Sequence, residues 1–310
     1  MSKTAYIFPG QGSQSVGMGK DLFDNYASAR EVFEAAEDAL GFSLSKMCFS
    51  GDESDLQLTA NTQPAILTVS VAAHRAASSE GLPQPDYVAG HSLGEYSALV
   101  AAGVMDFADA VRTVRKRGTY MQEAVPVGVG AMAAILGLDA ETVDAVCSEA
   151  AQGQICSPAN VNSPSQVVIA GNAEAVDRAC EILKEKGAKR AIRLNVSAPF
   201  HCALMMPAQE RLEADLSELD YGNFSFPVLH NIDAAVNTDS SVVCNKLTRQ
   251  VSSPVRWAQT IENMRANGVG KFIEIGPGKV LTGLVRQIDR EAVYSNIENT
   301  ESLRNTLETL

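Results

Sequence analysis

Basic charge, histidine and tryptophan are scarce in this chain. Its 310 residues include four histidines and one tryptophan, and 25 Lys and Arg stand against 37 Asp and Glu, a net charge of −12. That acidic balance argues against bulk binding to nucleic acid or an anionic membrane, both of which need a surplus of cations. The six cysteines (Cys48, Cys147, Cys156, Cys180, Cys202 and Cys244) form no C-x-x-C pair and no metal-finger spacing. Reduced thiols in a cytoplasmic protein are therefore the expectation. Cys202 follows a histidine directly, but adjacent residues rarely face each other, so it reads as structural. The apolar run Gly128 to Leu138 is too short to span a bilayer. The opening MSKTAYIFPGQG lacks a basic-then-apolar signal pattern. Internal repeats and low-complexity linkers are absent as well.

What is present is an ordinary globular composition, 45% hydrophobic and 20% charged. The length suggests about two domains, or one large core with an insertion. The most informative stretch is Gly90-His91-Ser92-Leu93-Gly94, a Gly-x-Ser-x-Gly pattern. Asp86 to Ala89 before it reads as a short buried strand, and Glu95 to Ala102 after it as a buried helix. Strand, tight turn and helix are the setting of a nucleophile elbow, with the serine exposed at the turn and the helix N-terminus aimed back at it. The bland alternative is a glycine-rich turn without chemistry. Thr4 to Phe8 reads as a first strand ending in Pro9 to Gln14, which lacks both G-x-G-x-x-G and G-K-[ST]. In an elbow enzyme the oxyanion hole takes one N–H from the residue after the nucleophile, here Leu93, and one from a neighbouring loop. Gln11 is the best candidate for the second, although the loop also suits a plain tight turn.

Further elements follow from pattern. A helix runs from about Gly19 to Leu40. Asn61 to Pro64 caps another, with Pro64 at its first position. Asp106 to Glu123 is helical and carries Arg112, Arg115, Lys116 and Arg117; such a cluster usually marks a solvated face, but one arginine could turn inward to meet an anionic substrate. From Val127 to about Ser197 the order is strand, helix, strand, strand, helix, strand, with Asp139 and Asn172 as caps. That order is ferredoxin-like and reads as a small subdomain inserted into an α/β core. Phe224 to Leu229 and Lys271 to Ile275 read as core strands, and Gly276-Pro277-Gly278 as a structural turn before a helix. Pro199-Phe200-His201 lies where the chain should return to the large domain. His91 should point away from its neighbour Ser92, His74 sits mid-helix and His230 near a strand end, so His201 is the best positioned base.

Seven segments together carry a resemblance: FPGQGSQ (Phe8 to Gln14), TQPA (Thr62 to Ala65), GHSLGEY (Gly90 to Tyr96), RKRGTYMQ (Arg115 to Gln122), NSPSQVVIAG (Asn162 to Gly171), SAPFHCALM (Ser197 to Met205) and EIGPGKVL (Glu274 to Leu281). In this order, over nearly the whole chain, they resemble the malonyl-CoA:acyl-carrier-protein transacylase family. The resemblance implies an α/β-hydrolase-like core, residues 1–126 and 198–310, with a ferredoxin-like βαββαβ subdomain at 127–197. It implies Ser92 as nucleophile, His201 as general base held by a backbone carbonyl near Gln250, and an oxyanion hole from the N–H groups of Gln11 and Leu93. Arg117 would pair with the malonyl carboxylate. Gln63 and Phe200 would join it in binding substrate, the bulk of Phe200 resembling members that prefer malonyl over methylmalonyl groups.

The implied activity is malonyl transfer from malonyl-CoA to the thiol of acyl carrier protein, in fatty-acid or polyketide synthesis, by a monomer needing no metal or other cofactor. The family's carriers are acidic, so docking would need a local basic surface such as Lys184, Lys186, Lys189 and Arg190, or Arg286 and Arg290. A serine hydrolase shares the elbow, but typical α/β-hydrolases place their histidine near the C-terminus, whereas the last one here is His230. A non-catalytic carrier-docking scaffold is a second alternative.

Overall fold

Ten strands form two sheets in the computed structural model, which describes residues 2–196 and 198–310. Met1 and Ser197, at the outer edges of the two expected domains, lie outside the described residues. In chain order the strands are β1 (Lys3–Phe8), β2 (Tyr87–Gly90), β3 (Gly130–Leu136), β4 (Cys156–Ser163), β5 (Gln166–Asn172), β6 (Arg190–Arg193), β7 (Val228–Leu229), β8 (Val236–Asn237), β9 (Val269–Ile275) and β10 (Val293–Ile297). The large sheet has the order β10-β9-β1-β2-β7-β8, parallel except for β8. The fold class is α/β.

Strand periodicity explains the layers. Successive side chains point to opposite faces, and a parallel sheet buries both. Tyr6 and Phe8 of β1, Val88 of β2, Val228 of β7 and Ile273 and Ile275 of β9 enter one apolar cluster. Ala5, Ile7, Ala89, Leu229 and Phe272 enter the other, against Trp257, Ile261, Leu281 and Val285. The helix Thr59–Ser79 lies in the first layer and is apolar nearly all round, as a helix enclosed by others must be.

The smaller sheet is antiparallel, in the order β4-β5-β3-β6. With the helices Ala140–Ala151 and Ala173–Glu185 between its strands, it has the ferredoxin-like connectivity. Ala133, Ile135, Val167 and Ile169 pack on those two helices. On the opposite face Met132, Val168 and Ala170 join the main cluster of the large sheet, so the two units share one apolar layer. Backbone bonds Val161 N–H to Val255 O and Val255 N–H to Ala159 O, both 2.9 Å, tie β4 to the large unit.

Several expected boundaries move, each for a local reason. The helix from Gly19 to Leu40 is two helices, Lys20–Asn25 and Ala27–Leu40, separated at the extended Tyr26. Pro64 lies inside its helix rather than at the start, because Asn61 and Thr62 bond backwards to the carbonyls of Asp55 and Leu56 instead of capping forwards. Asn172 precedes a helix but does not cap it; its side-chain oxygen accepts from Ile155 N–H at 2.8 Å. The strand expected from Phe224 shrinks to Val228–Leu229, since Pro227 has no N–H for a ladder. The helices Met206–Ser217 and Thr300–Thr309 were not evident from pattern. At the Gly276-Pro277-Gly278 turn, the N–H groups of Leu281 (3.0 Å) and Thr282 (2.7 Å) are taken by the Glu274 carboxylate, so the anion position at this helix start is filled from within the chain.

Gly94 is the contact on which the strand-to-helix turn depends. A Cβ there would lie 2.1 Å from the Phe8 carbonyl oxygen. Helix Gly94–Ala101 can approach β1 this closely only without a side chain. Gly94→Ala should lower unfolding free energy by at least ~2 kcal/mol, read from the urea midpoint at unchanged m-value; a midpoint within error of the parent would show that this approach is not needed.

Candidate active site

Ser92 sits where β2 ends and the helix Gly94–Ala101 begins, at the carboxyl end of the parallel strands. Its φ of 52° is in the left-handed region, which disfavours a side chain by roughly 1–2 kcal/mol. His201 is also left-handed, at φ 59°. Strain of this kind persists only where surrounding bonds over-determine the backbone. Here they do. Ser92 N–H donates to Asn231 Oδ1 (2.6 Å), Asn231 Nδ2 donates to Gly90 O (2.7 Å), and Gln250 Nε2 donates to Ser92 O (2.9 Å).

The Ser92 hydroxyl meets His201 Nε2 at 2.7 Å, and His201 Nδ1 meets the Gln250 carbonyl oxygen at 2.9 Å. A carbonyl can only accept, so Nδ1 carries the proton and Nε2 is left as the acceptor for the serine proton. Burial, and after it the Arg117 charge, push His201 down to about 3. The imidazole is neutral at neutral pH, the form a base requires.

Arg117 is the inward-turning member of its cationic cluster. On the helix Phe107–Glu123, Arg112 and Lys116 are exposed and pair with Asp109 and Asp215. Arg115 bonds Asn61. Arg117 is only 1% exposed. Its Nη1 donates to Gln63 Oε1 (2.9 Å), and its Nη2 to Gln250 Oε1 (2.9 Å) and Ser92 Oγ (3.2 Å). The guanidinium carbon stands 5.7 Å from the Tyr96 ring centre. Nε has no partner, and no ion pair among the described residues includes Arg117. Burial lowers the guanidinium from its ordinary value, but an arginine keeps its charge at neutral pH. A buried cation solvated by neutral oxygens and reaching the reactive hydroxyl is a receptor for an anion carried by the acyl group.

The loop after β1 packs against the elbow. His91 N–H donates to Phe8 O (3.0 Å), and a Cβ on Gly10 would lie 2.3 Å from His91 O. The N–H groups of Gln11 and Leu93 donate no hydrogen bond among the described residues. Both are available to an oxyanion. Ser92, His201, Arg117, Gln63 and Gln250 are thus joined by direct hydrogen bonds, with Leu93 adjacent in the chain. Phe200 is buried in the main apolar cluster with no polar link to Ser92. His91 points away from the hydroxyl, to Asn162 Oδ1 on β4 (2.8 Å). Cys202 is buried, its thiol against Pro199 O.

Sequence reasoning missed Glu95 and Asn231. Glu95 is completely buried and accepts from His230 Nδ1 (2.6 Å), Asn231 N–H (2.9 Å) and Gln250 Nε2 (2.9 Å). A carboxylate in the otherwise uncharged EYSALVAA helix was an available signal; Asn231 offered none. No group of three or more His, Cys, Asp and Glu side chains among the described residues could hold a metal, and no described helix is long and apolar enough to cross a membrane.

Comparison with known proteins finds relatives that match nearly the whole chain. The model of the family described as acyl transferase domain matches residues 5–304. The malonyl CoA-acyl carrier protein transacylase of Bacillus subtilis (strain 168) is 49% identical, covering 100% of this chain and 98% of that protein. The crystal structure of an acyl carrier protein S-malonyltransferase from Vibrio cholerae superposes with a TM-score of 0.96 at 50% identity, covering 98% of this chain and 100% of that one. A malonyl-transacylase solved in complex with a type II PKS acyl-carrier protein gives 0.97 at 48% identity, with complete coverage of both chains, 100% each.

The His201 environment has a pH consequence. The unfolded chain takes up the proton at about 6.5 that the folded site refuses, so stability from this group is present above that pH and is lost as pH falls towards 3. Labelling of Ser92 by an uncharged serine-directed reagent should keep its neutral rate down to at least ~pH 5. Arg117→Gln, which removes the neighbouring cation, should move the acid limb upward. An acid limb near 6.5 in the parent protein would mean that His201 is not held neutral.

Proposed function

The chain belongs to the acyl transferase domain family, and from that membership we propose that it transfers a malonyl group from malonyl-CoA to the phosphopantetheine thiol of an acyl carrier protein. The observation that carries this reading is the buried Arg117 guanidinium, without a carboxylate partner, 3.2 Å from the Ser92 hydroxyl. An acyl chain ending in a carboxylate matches it; an acetyl group would leave the cation unpaired, which is costly in a buried site.

In the proposed mechanism Ser92 Oγ attacks the thioester carbonyl as His201 Nε2 takes its proton. The N–H groups of Gln11 and Leu93 stabilise the tetrahedral oxyanion, each contributing about 3 kcal/mol by analogy with other oxyanion sites. The C–S bond breaks, and coenzyme A leaves as its thiol with the proton from His201. The carrier thiol then gives its proton to His201 and attacks the malonyl-Ser92 ester by the reverse route, regenerating the hydroxyl. Gln63 and Gln250 hold the guanidinium, the Gln250 carbonyl orients His201, and Phe200 is assigned to the acyl pocket on the resemblance alone. The reaction so drawn uses only groups of the chain and its two substrates, without a cofactor.

The remaining assignments follow the same reading. Residues 1–126 and 198–310 form the catalytic unit around the insertion at 127–197. On this reading the protein acts as a monomer. Lys184, Lys186, Lys189 and Arg190, exposed and outside every ion pair among the described residues, suit an acidic carrier, as do Arg286 and Arg290. Six free thiols fit a cytoplasmic location.

Intact-protein mass spectrometry after brief mixing with malonyl-CoA, then with phosphopantetheinylated carrier protein, tests the proposal. A malonyl adduct on Ser92 that passes to the carrier is expected, and Arg117→Ala should shift adduct formation from malonyl towards acetyl by about tenfold or more in ratio. An adduct lost to water with the carrier unloaded would make the protein a hydrolase, and an unchanged malonyl-to-acetyl ratio in Arg117→Ala would remove that residue's role.

A further inference from the structure

Behind the reactive dyad lies a polar chain in which every donor and acceptor is determined. Asp239 N–H donates to Asn237 Oδ1 at 2.9 Å, so the Asn237 amide nitrogen is the atom facing His230 Nε2 at 3.0 Å. His230 Nε2 therefore accepts, and its proton is on Nδ1, aimed at Glu95 Oε1 at 2.6 Å. Glu95 Oε2 takes two more donors, Asn231 N–H and Gln250 Nε2, each at 2.9 Å. Three donors and no acceptor around a fully buried carboxyl group match the ionised form. Because Gln250 turns its nitrogen to Glu95 Oε2 and to Ser92 O, each at 2.9 Å, it must turn Oε1 the other way, where it receives Arg117 Nη2 at 2.9 Å.

We propose that Glu95 is a positioning residue for acyl-group selectivity: its carboxylate, together with the Ser92 carbonyl, fixes the polarity of the Gln250 amide, and that amide holds the Arg117 guanidinium in the pose that receives the substrate carboxylate. The inference rests on the transfer reading above. Carboxylate, amide and guanidinium stand in line, with the amide N–H towards the negative end and its oxygen towards the positive end. Glu95 thus offsets the buried cation across one amide without touching it. Arg117 keeps an Nη1 hydrogen, and the Nη2 hydrogen now on Ser92, for an incoming anion. A carboxylate directly on Arg117 would offset the charge equally well, but would occupy the place of the substrate.

Glu95→Gln keeps the shape and removes the charge. One amide oxygen must then serve donors on both sides, so an N–H faces either His230 or Gln250. The expected result is a fall of about tenfold in the malonyl-to-acetyl ratio of kcat/KM, carried mainly by a higher KM for malonyl-CoA. Gln250→Met retains the backbone carbonyl that orients His201, removes the amide bridge together with the Nε2 bond to Ser92 O, and should give a similar loss in the ratio. The double variant should lose no more selectivity than the larger single one. If Glu95 served only to hold the elbow through Asn231, transfer from both donors would fall by one common factor, and that result overturns the proposal. So does a ratio unchanged in Gln250→Met, which stays decisive if Glu95→Gln fails to fold. A parent protein that forms no malonyl-Ser92 adduct would instead defeat the transfer reading itself, and that measurement comes first.

Discussion

Burying the Arg117 guanidinium is the constraint to which the rest of the site answers. Removing an arginine from water costs several kcal/mol unless the interior replaces the lost hydration. Gln63, Gln250 and the Ser92 hydroxyl supply hydrogen-bond acceptors, and the Tyr96 ring supplies a face. None of these neutralises the charge. The same charge helps hold His201 unprotonated, so the group assigned to selecting the acyl chain also tunes the base that activates the serine. On the proposed reading, selectivity and reactivity therefore have a common electrostatic origin.

The backbone around the dyad follows the same logic. Ser92 and His201 both occupy the left-handed region, and their side chains meet at 2.7 Å. Asn231 and Gln250 hold the Ser92 peptide on both sides, and Glu95 holds Asn231 and Gln250. The strain at the turn is thus balanced by hydrogen-bonded polar groups in a largely buried setting, where hydrogen bonds are stronger and unpaired groups more costly. The two glutamines on Arg117 come from segments more than 180 residues apart in the chain, which is why the pocket forms only in the complete fold.

Contact between the two sheets closes the site from the other side. His91, adjacent to the nucleophile, bonds Asn162 on β4, and β4 is tied to Val255 through the backbone. The Trp257 ring lies tilted against His91, its centre 5.5 Å away. The smaller unit is therefore anchored at the elbow itself as well as through the shared apolar layer. A shift of the inserted unit would be felt within one residue of the reactive hydroxyl.

What the sequence determined by itself was whatever depends on neighbours in the chain. The Gly-x-Ser-x-Gly turn needs small residues at fixed spacing, and the ferredoxin-like order appears as alternating strand and helix patterns from Gly130 to Arg193. Ser92, Leu93 and, by elimination among four histidines, His201 were legible for that reason, while Gln63 and Gln250 came from family resemblance alone. Arg117 was likewise named only by the resemblance; tertiary structure shows it to be the buried member of four clustered cations, since helical periodicity offers a face but does not name its occupant. It also decided that the Gln250 side chain, and not only its carbonyl, enters the site. His230, Asn231 and Gln250 are polar residues at unremarkable positions in the chain, and Glu95 stands out only as a carboxylate in an otherwise uncharged helix. Their bonds span up to 158 residues, and no local pattern records a contact whose only physical cause is that the fold buries both partners together.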